Sequence, residues 1–573
     1  MQQENTDWPP GASIETFVLN LRALMSAQPE LGERLCWSVN GDHLREEPDG
    51  RVTYLWRGSW VPIALAESDV EFEIESALAR VGEDARVLVF GVGLAEHVDR
   101  LLERDGTRLV VWDRDPWMMR VLLGRRDYSE MITSGRLRVA LGADLLRLLD
   151  DPTIEARIEH VLFREIYSRE LEWLKSGVRE KRVLLCEGML YVDSLAKALQ
   201  SEGYSVWAAD VERLSPEELD YTVQVLEPQL MAAVNYLVGL TEFTHRHGIQ
   251  LLTWEIDPFT HQPSAPKTPS SHARIFSYRK QLVTDLFSIG FENVEYLPLA
   301  ADTKLRQPGP LSESEREHYS APISFVGSSM LANAGAHIQQ FSHDLGRFAM
   351  ETGAPLSVQA VLDELLAEQR SLPDEWIIDE ALERLAPGFT DWSRNVIGER
   401  DPATLVGELV ASERRLSVVA NLADLGVQVW GDSGWSQIAT TGANYRGPAK
   451  HGHDLTRIYR ASTINLDIGR LYQNDIVTMR VFDILACGGF ALVEHTDALE
   501  ELFEVGVELD SYRNRAECLE KARHYLAHPE EARAIAARGL HAVRERHSFE
   551  LRVRHMLAAL EGANARSAFG LAG

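Results

Sequence analysis

The chain has 573 residues, 45% of them hydrophobic and 25% charged, with 87 acidic against 58 basic side chains and a formal charge of −29. That length suits about three or four structural units, and the composition excludes wholesale disorder. So acidic a chain is a poor general binder of nucleic-acid backbones, although one local basic pocket for a small anion is compatible with it.

Four scattered cysteines, Cys36, Cys186, Cys487 and Cys518, form no CxxC pair. They speak against a disulfide framework or zinc cluster and for a reducing compartment. The polar start MQQENTDWPPG is unlike a signal peptide, and no run of about 18 apolar residues is present. The expectation is a multidomain cytoplasmic protein without a transmembrane segment.

Residues 1–75 read as a small cap or oligomerisation element. Ile14, Phe17, Leu19, Leu21 and Leu24 mark a helix, and VTYLWRG (52–58) and WVPIAL (60–65) mark two short strands. From Arg86 the pattern becomes strand, glycine turn, helix, strand: RVLVFGVG, AEHVDRLLERDG, RLVVWDRDP and RLRVALGAD. This is a βαβ unit, assigned to a Rossmann-like domain over 76–175. A second series follows over 180–320, with strands in RVLLCEG, YSVWAAD, MAAVNY, QLLTWEIDP, ARIFSY and VEYLPLA. Strands alternating with helices imply a parallel sheet covered on both faces. A third series, 321–550, opens with ISFVGSS and is interrupted over 331–405 by helical periodicity. Residues 551–573 read as a closing helix and tail. Two consecutive Rossmann-like sheets that face each other give a cleft for a donor and an acceptor, because open α/β sheets bind ligands beyond the carboxyl ends of their strands.

The strongest chemical signal is TMRVFDILACGGFALVEH, Thr478 to His495. Arg480 and Asp483 are three residues apart and share a helical face near its start. A cation there, beside free backbone N–H groups, suits a diphosphate, and an acid one turn on can accept from a ribose diol. Gly488 and Gly489 let backbone approach a ligand closely. A surface Arg–Asp pair with a glycine C-cap explains the same residues without any ligand.

Here the sequence resembles a family. INLDIG, TMRVFDILACGGFALVEHTDALEELFEVGVEL, YLAHPEEARAIAARG and RHSFELRVRHML are similar to the C-terminal half of CgeB-like glycosyltransferases, in the GT-B group that includes the family-4 type enzymes. LLTWEIDP, ARIFSYRKQLVTDLFSIGFENVEYLPLAAD and ISFVGS resemble that family's acceptor-side domain and its crossing into the donor domain, with 331–405 unmatched. The resemblance implies an α/β fold with a GT-B-like pair of facing Rossmann-like domains, here preceded by an extra one and interrupted by the insertion. It implies transfer of a sugar from a nucleotide-diphosphate sugar to a protein or glycan acceptor, retaining and without a metal or other cofactor. Carried over by position, Arg480 borders the diphosphate with Gly327 and Ser328, Thr478 opens the same helix, Asp483 takes the ribose position, and Gly488 and Gly489 match the motif's glycines. In such enzymes helix N-termini and basic side chains stabilise the leaving diphosphate.

Asp257, with Glu255 in WEIDP, is the candidate for an acceptor-side catalytic role, and a strand-end carboxylate capping a turn is its plain alternative. His245 and His247 in THRHG are explained by a helix end. His451 and His453 have the spacing of a metal half-site on a strand, or belong to a solvent loop.

Gly91 and Gly93, with Asp113 about 20 residues on, form a second signal. It is open to a nucleotide or S-adenosylmethionine pocket, hence to a methyltransferase or bifunctional protein. Glu96 replaces the third glycine, so a purely structural turn, and a non-catalytic scaffold, also remain open. GVGLAEHVDRLLE…VVWDRDP resembles the N-terminal part of Maf-type flagellin glycosylation proteins, which implies surface or flagellar glycosylation. Asp113 and Asp115 also fit a metal-binding DxD pattern, which this βαβ position already explains.

Overall fold

The computed structural model describes residues 8–56, 58–79, 81, 85–188, 190–257, 265–398, 401–450 and 452–560. The chain forms two compact units, residues 1–234 with 243–251, and residues 235–242 with 252–573. The fold is mixed α/β, and three Rossmann-like series follow one another along the sequence. Among the described residues no helix is long and apolar enough to cross a membrane.

The first unit opens with helix Ile14–Ala27, capped by the Ser13 hydroxyl. An antiparallel meander follows, β1 (Leu44–Glu46), β2 (Val52–Trp56) and β3 (Ser59–Pro62). Next come β4 (Arg86–Phe90), β5 (Arg108–Asp113), β6 (Leu137–Leu141) and β7 (Ile154–Glu159). They form a parallel sheet in the order β6-β5-β4-β7. Edge strand β7, with the sequence IEARIE, alternates charged and apolar residues and gives no apolar run to read. Strands β8 (Arg182–Cys186), β9 (Ser205–Ala209) and β10 (Leu230–Val234) pair in parallel, in the order β10-β8-β9. Their near-complete burial accounts for their continuous apolar sequences.

Helix Ile14–Ala27 packs on helices Pro116–Arg125 and Ser129–Thr133. Its fully buried Asn20 donates to the carbonyls of Leu123 and Arg126 at 2.7 Å each and accepts the Tyr128 N–H at 2.7 Å. Arg34 is also buried. It donates to Asp144 at 2.8 Å, to Glu218 at 2.5 and 2.9 Å and to the Leu141 carbonyl at 3.0 Å, tying the first series to helix Pro216–Leu226.

The second unit holds most of β11 (Gln250–Glu255), then β12 (Ala273–Ser277) and β13 (Val294–Tyr296), in the order β13-β12-β11. It continues with β14 (Ile323–Val326), β15 (Val427–Trp430), β16 (Asn444–Tyr445), β17 (Ile464–Asp467), β18 (Ala491–Glu494) and β19 (Asp510–Tyr512). These six make a parallel sheet in the order β16-β15-β14-β17-β18-β19. Its core contains Ile323, Phe325, Val427, Val429, Ile464 and Leu492, all completely buried.

Between β14 and β15 lie helices Leu331–Thr352, Val358–Ser371, Ile378–Leu385 and Phe389–Trp392, followed by Pro402–Asn421. This insertion has its own core around Phe341, Leu345, Leu365, Ile378, Leu382 and Phe389. Helix Pro402–Asn421 runs unbroken past residue 405, so the insertion and the resumed series share one helix. The closing helix is Phe549–Leu560. Its buried Arg552 donates to the carbonyls of Pro298 at 2.8 Å and Leu299 at 3.1 Å, pinning the helix to the segment that leads out of β13. Residues 561–573 of the expected tail lie outside the described residues.

Replacing Asn20 with alanine strands the buried Leu123 carbonyl and Tyr128 N–H, and leaves the half-buried Arg126 carbonyl without its donor. Each such group costs about 1–3 kcal/mol. Urea denaturation of Asn20→Ala is expected to show a lower midpoint with an unchanged m-value.

Candidate functional site

In the six-stranded sheet of the second unit, the strand order reverses between β14 and β17. Helices leave the two strands on opposite faces, which opens a crevice beyond their carboxyl ends. Two loops border it, Gly327-Ser328-Ser329-Met330 and Ile468-Gly469-Arg470. A Cβ on Gly327 would stand 2.8 Å from the Arg480 guanidinium and 3.0 Å from the Phe325 ring, so a side chain here collides with the site.

Asp432, at the end of β15, fixes the first loop. It accepts the Ser328 hydroxyl at 2.7 Å, the Ser329 N–H at 2.7 Å, the Ser329 hydroxyl at 2.5 Å and the Gly434 N–H at 2.9 Å. Burial raises the Asp432 pKa, but the donors from Ser329 and Ser328 outweigh it and hold the carboxyl below its ordinary range. The Ser328 hydroxyl is thus engaged with Asp432 and also accepts the Met330 N–H at 2.9 Å.

Thr478 stands at the N-cap of helix Met479–Ala486, but its hydroxyl turns to Asp467 at 2.7 Å. Arg480 lies at the crevice. Its Nε donates to the Val326 carbonyl at 2.6 Å, its Nη1 pairs with the buried Asp467, and its guanidinium lies over the Phe325 ring at 5.0 Å. A second guanidinium, Arg415, is buried alongside. It donates to the carbonyls of Ser328 at 2.7 Å and Ile468 at 3.2 Å, one from each loop. Burial, then the charges of Arg480 and Arg470, push its pKa down to about 9. Nothing in the spacing of Arg415 along the chain marks it as a site residue, and Asp432 is likewise visible only in three dimensions.

The other motif residues lie elsewhere. Asp483 is buried and pairs with Arg306 at 3.1 Å, and Arg306 also donates to the Gly452 carbonyl at 2.8 Å. Its carboxylate joins the inter-domain segment to the helix, so the residue expected at the ribose position has a protein partner here. Gly488 and Gly489 sit at the opposite end of the helix from Arg480. Gly488 terminates it with φ +77°, and a Cβ on Gly489 would meet the Asn465 amide and the Tyr459 carbonyl at 2.7 Å. The pair stops the helix and packs on protein, at the two positions where close approach by a ligand is expected.

Asp257 is exposed and accepts the Asn235 amide at 3.2 Å. Glu255 is buried, accepts the Tyr236 N–H at 3.0 Å, and is pushed up to about 7 by burial. His247 pairs with Asp220 at 2.7 Å. His453 opens helix His453–Ala461 rather than lying on a strand, and His451 is outside the described residues.

A cavity of about 640 Å³ lies beyond the carboxyl ends of β17 and β18. Asp467, Thr478 and Glu494 line it from the sheet side, and Asp374, Trp376 and Asp379 line it from the insertion. Arg414 joins the two sides, reaching both Glu494 at 2.7 Å and Asp374 at 2.6 Å. Of the residues expected at the site, Thr478 lines this cavity directly, and Arg480 touches it through Asp467.

The glycine turn of the first unit is filled by its own chain. A Cβ on Gly91 would lie 2.5 Å from Phe163, and one on Gly93 would run into the His160 ring. Glu96 accepts the N–H groups of Leu65 at 3.1 Å and Leu94 at 3.0 Å, across the start of the following helix. Asp113, in the place of a ribose-binding acid, accepts the Tyr167 hydroxyl at 2.7 Å and the Val92 N–H at 2.8 Å. Asp115 is held by His43 at 2.5 Å and caps the helix Pro116–Arg125. The carboxylates of Glu96, Asp113 and Asp115 are thus all engaged by the chain itself. Among the described residues a cation-sized cluster occurs at His528, Glu530 and Glu531, on the exposed corner between two helices and away from the cavity lining.

Residues 412–558 match the model of the family described as Glycosyl transferase-like. No curated protein sequence matches the chain. Among solved structures, a glycosyltransferase from Rickettsia africae ESF-5 is similar at 11% identity, over 68% of this chain and 99% of its own, with a TM-score of 0.39. Anabaena HepE in complex with UDP and glucose is similar at 11% identity over 67% and 100%, with a TM-score of 0.37. The MAf glycosyltransferase from Magnetospirillum magneticum AMB-1 is similar at 11% identity over 52% and 58%, with a TM-score of 0.21. These superpositions are loose, and the fold assignment rests on strand order.

Two outcomes follow. Asp483→Ala leaves Arg306 buried without its carboxylate, a change that typically costs about 3–5 kcal/mol. Chemical denaturation is expected to register that loss, whereas a ribose contact would lower nucleotide affinity at unchanged stability. Burial, then the charge of Asp115, push Asp113 up to about 7. Between about pH 4 and 7 the native state therefore keeps a proton that the unfolded chain has released, and this contribution to stability falls as pH rises. His160, pushed down to about 4 by burial, contributes with the opposite sign. The difference between wild type and Asp113→Asn, followed by denaturation across this range, isolates the Asp113 slope, which is expected to vanish in the variant.

Proposed function

We propose that this chain is a GT-B-type, CgeB-like glycosyltransferase that moves a sugar from a nucleotide-diphosphate sugar to a protein or glycan acceptor. The observation that carries the proposal is the strand-order reversal between β14 and β17. There Arg480 and Arg415 sit beside a glycine-serine loop, in a chain whose residues 412–558 match a glycosyl transferase-like family.

Arg415 touches two carbonyls and, among the described residues, forms no ion pair; burial, Arg480 and Arg470 lower its pKa and outweigh Asp467 and Glu408. An incoming diphosphate would relieve that unbalanced charge. In the reaction the bond from the anomeric carbon to the diphosphate oxygen breaks and a bond to the acceptor oxygen forms. The acceptor proton leaves with the diphosphate or through a base. Guanidinium groups and backbone N–H groups stabilise the developing phosphate charge in place, a role that calls for no metal and agrees with a retaining mechanism. Asp257, exposed at the end of β11, is the group proposed to act on the acceptor side. The proposed location is the cytoplasm, with a surface or flagellar glycoconjugate as product.

Thermal unfolding with UDP, GDP, CMP and S-adenosylhomocysteine in turn tests the proposal. One nucleoside phosphate is expected to raise the Tm, since a ligand at a hundred times its Kd adds about 2.7 kcal/mol. S-adenosylhomocysteine is expected to leave it unchanged. No response to any nucleotide would refute the donor site. Arg480→Ala is expected to cost about 3–4 kcal/mol in transition-state stabilisation, read as kcat/KM with the responding nucleotide sugar. Full turnover by that variant would remove Arg480 from the site.

A further inference from the structure

The cavity beyond β17 and β18 has a composition unlike that of the crevice holding Arg480 and Arg415. Two aromatic rings, Trp376 from the insertion and Tyr472 from the loop after β17, line it with their centroids 5.7 Å apart. Their polar edges are already engaged. The Trp376 indole N–H donates to Asp379, and the Tyr472 hydroxyl donates to Glu408. Gly407 on helix Pro402–Asn421 makes room for both rings, because a Cβ there would meet Tyr472 at 2.6 Å and Trp376 at 3.1 Å. Apolar ring surface is what remains at the cavity.

The charges around the rings are unfavourable to phosphate. Glu375, Asp379 and Asp497 line the cavity, and among the described residues none of the three has a cationic partner. The lining cations are balanced, Arg470 by Glu408 at 3.0 Å and Arg513 by Glu500 at 3.6 Å. A diphosphate brought among carboxylates that no cation balances is repelled. A neutral polyol is suited to them, because ionised carboxylates accept hydrogen bonds from hydroxyl groups. A pyranose combines hydroxyls around its rim with an apolar C–H face that can lie on an aromatic ring, and pockets lined by aromatic groups with a few placed polar groups are the usual form of small-molecule sites.

We propose that this cavity holds a neutral pyranose ring against Trp376 and Tyr472, and that the inserted segment Asp374–Asp379 sets which sugar is accepted. This rests on the glycosyl-transfer reading and adds to it the sugar-selecting wall. The ring has two possible sources, the transferable sugar of the donor and the acceptor glycan.

Hydrogen–deuterium exchange of the full chain separates them. Exchange over 374–379 and 471–476 is followed with UDP or GDP alone, with UDP-glucose, UDP-N-acetylglucosamine or GDP-mannose, and with free glucose, N-acetylglucosamine or mannose at saturation. Slower exchange with a nucleotide sugar than with its nucleotide assigns the cavity to the donor sugar. Slower exchange with a free pyranose and not with nucleotide sugars assigns it to the acceptor. Equal protection by the bare nucleotide, or no protection by any sugar, overturns the proposal. Trp376→Ala is expected to raise the sugar concentration for half-protection at least tenfold, and Trp376→Phe to restore most of it, with the nucleotide-induced rise in Tm unchanged in both. Absence of any nucleotide response would defeat the glycosyl-transfer reading alone, because the free-pyranose arm tests the cavity independently.

Discussion

Two guanidinium groups cross-link the ends of β14 and β17, and the site is organised around them. Arg480 grips the last carbonyl of β14 and the last side chain of β17, while Arg415 takes a carbonyl from each of the two following loops. Loops beyond parallel strands are the mobile part of such a sheet, and charge-assisted hydrogen bonds to their carbonyls restrain them. The arrangement has an energetic cost. Asp467 balances Arg480, but Arg415 is buried with carbonyls as its hydrogen-bond partners, and desolvation weakens its hold on its proton. Excess positive charge in a low-dielectric crevice is an unsatisfied state that an anion can complete.

The insertion participates in this arrangement. Helix Pro402–Asn421 packs on the insertion's first helix and carries Arg414 and Arg415 in succession. Adjacent helical residues point about 100° apart. Arg414 therefore goes to Glu494 at the end of β18 and to Asp374 in the inserted segment, while Arg415 goes to the loops of β14 and β17. One helix thus holds a wall of the cavity and both loops of the crevice.

Much of the architecture was legible in the sequence because apolar runs alternating with 3.6-period helices follow directly from two-sided burial. The strands that escaped notice, β1, β7, β16 and β19, are edge strands that are short or charged and so present no apolar run. The position of Arg480 beside Gly327 was implied by the family resemblance, which carries both residues to one site. The direction of Asp483 could not be read from the sequence. Helical spacing shows that two residues share a face, but the long arm of Arg480 reaches across to β14 while the short Asp483 meets whatever packs against its own turn. That neighbour is Arg306, from a segment read only as a linker. Asp432, Arg415 and Trp376 belong to the site solely through tertiary packing, and no local pattern announces them.

In the glycine turn of the first unit the two glycines are required by the packing of the chain itself. Gly91 and Gly93 have positive φ and must also lack a Cβ, because Phe163 and His160 stand where that Cβ would lie. Asp113 then serves as an internal acceptor, and its raised pKa reflects burial and the neighbouring Asp115 rather than catalysis. The same residue types, glycine, glycine and a strand-end acid, meet two different demands, close approach by a ligand or close approach by the protein. The distinguishing residues, Phe163 and His160, lie some 70 positions downstream at the end of the strand that the sequence pattern concealed. In the second unit the corresponding loop is held from below by Asp432 and faced by Arg480 across Gly327, so there the glycine leaves room beside a cation rather than beneath an aromatic ring.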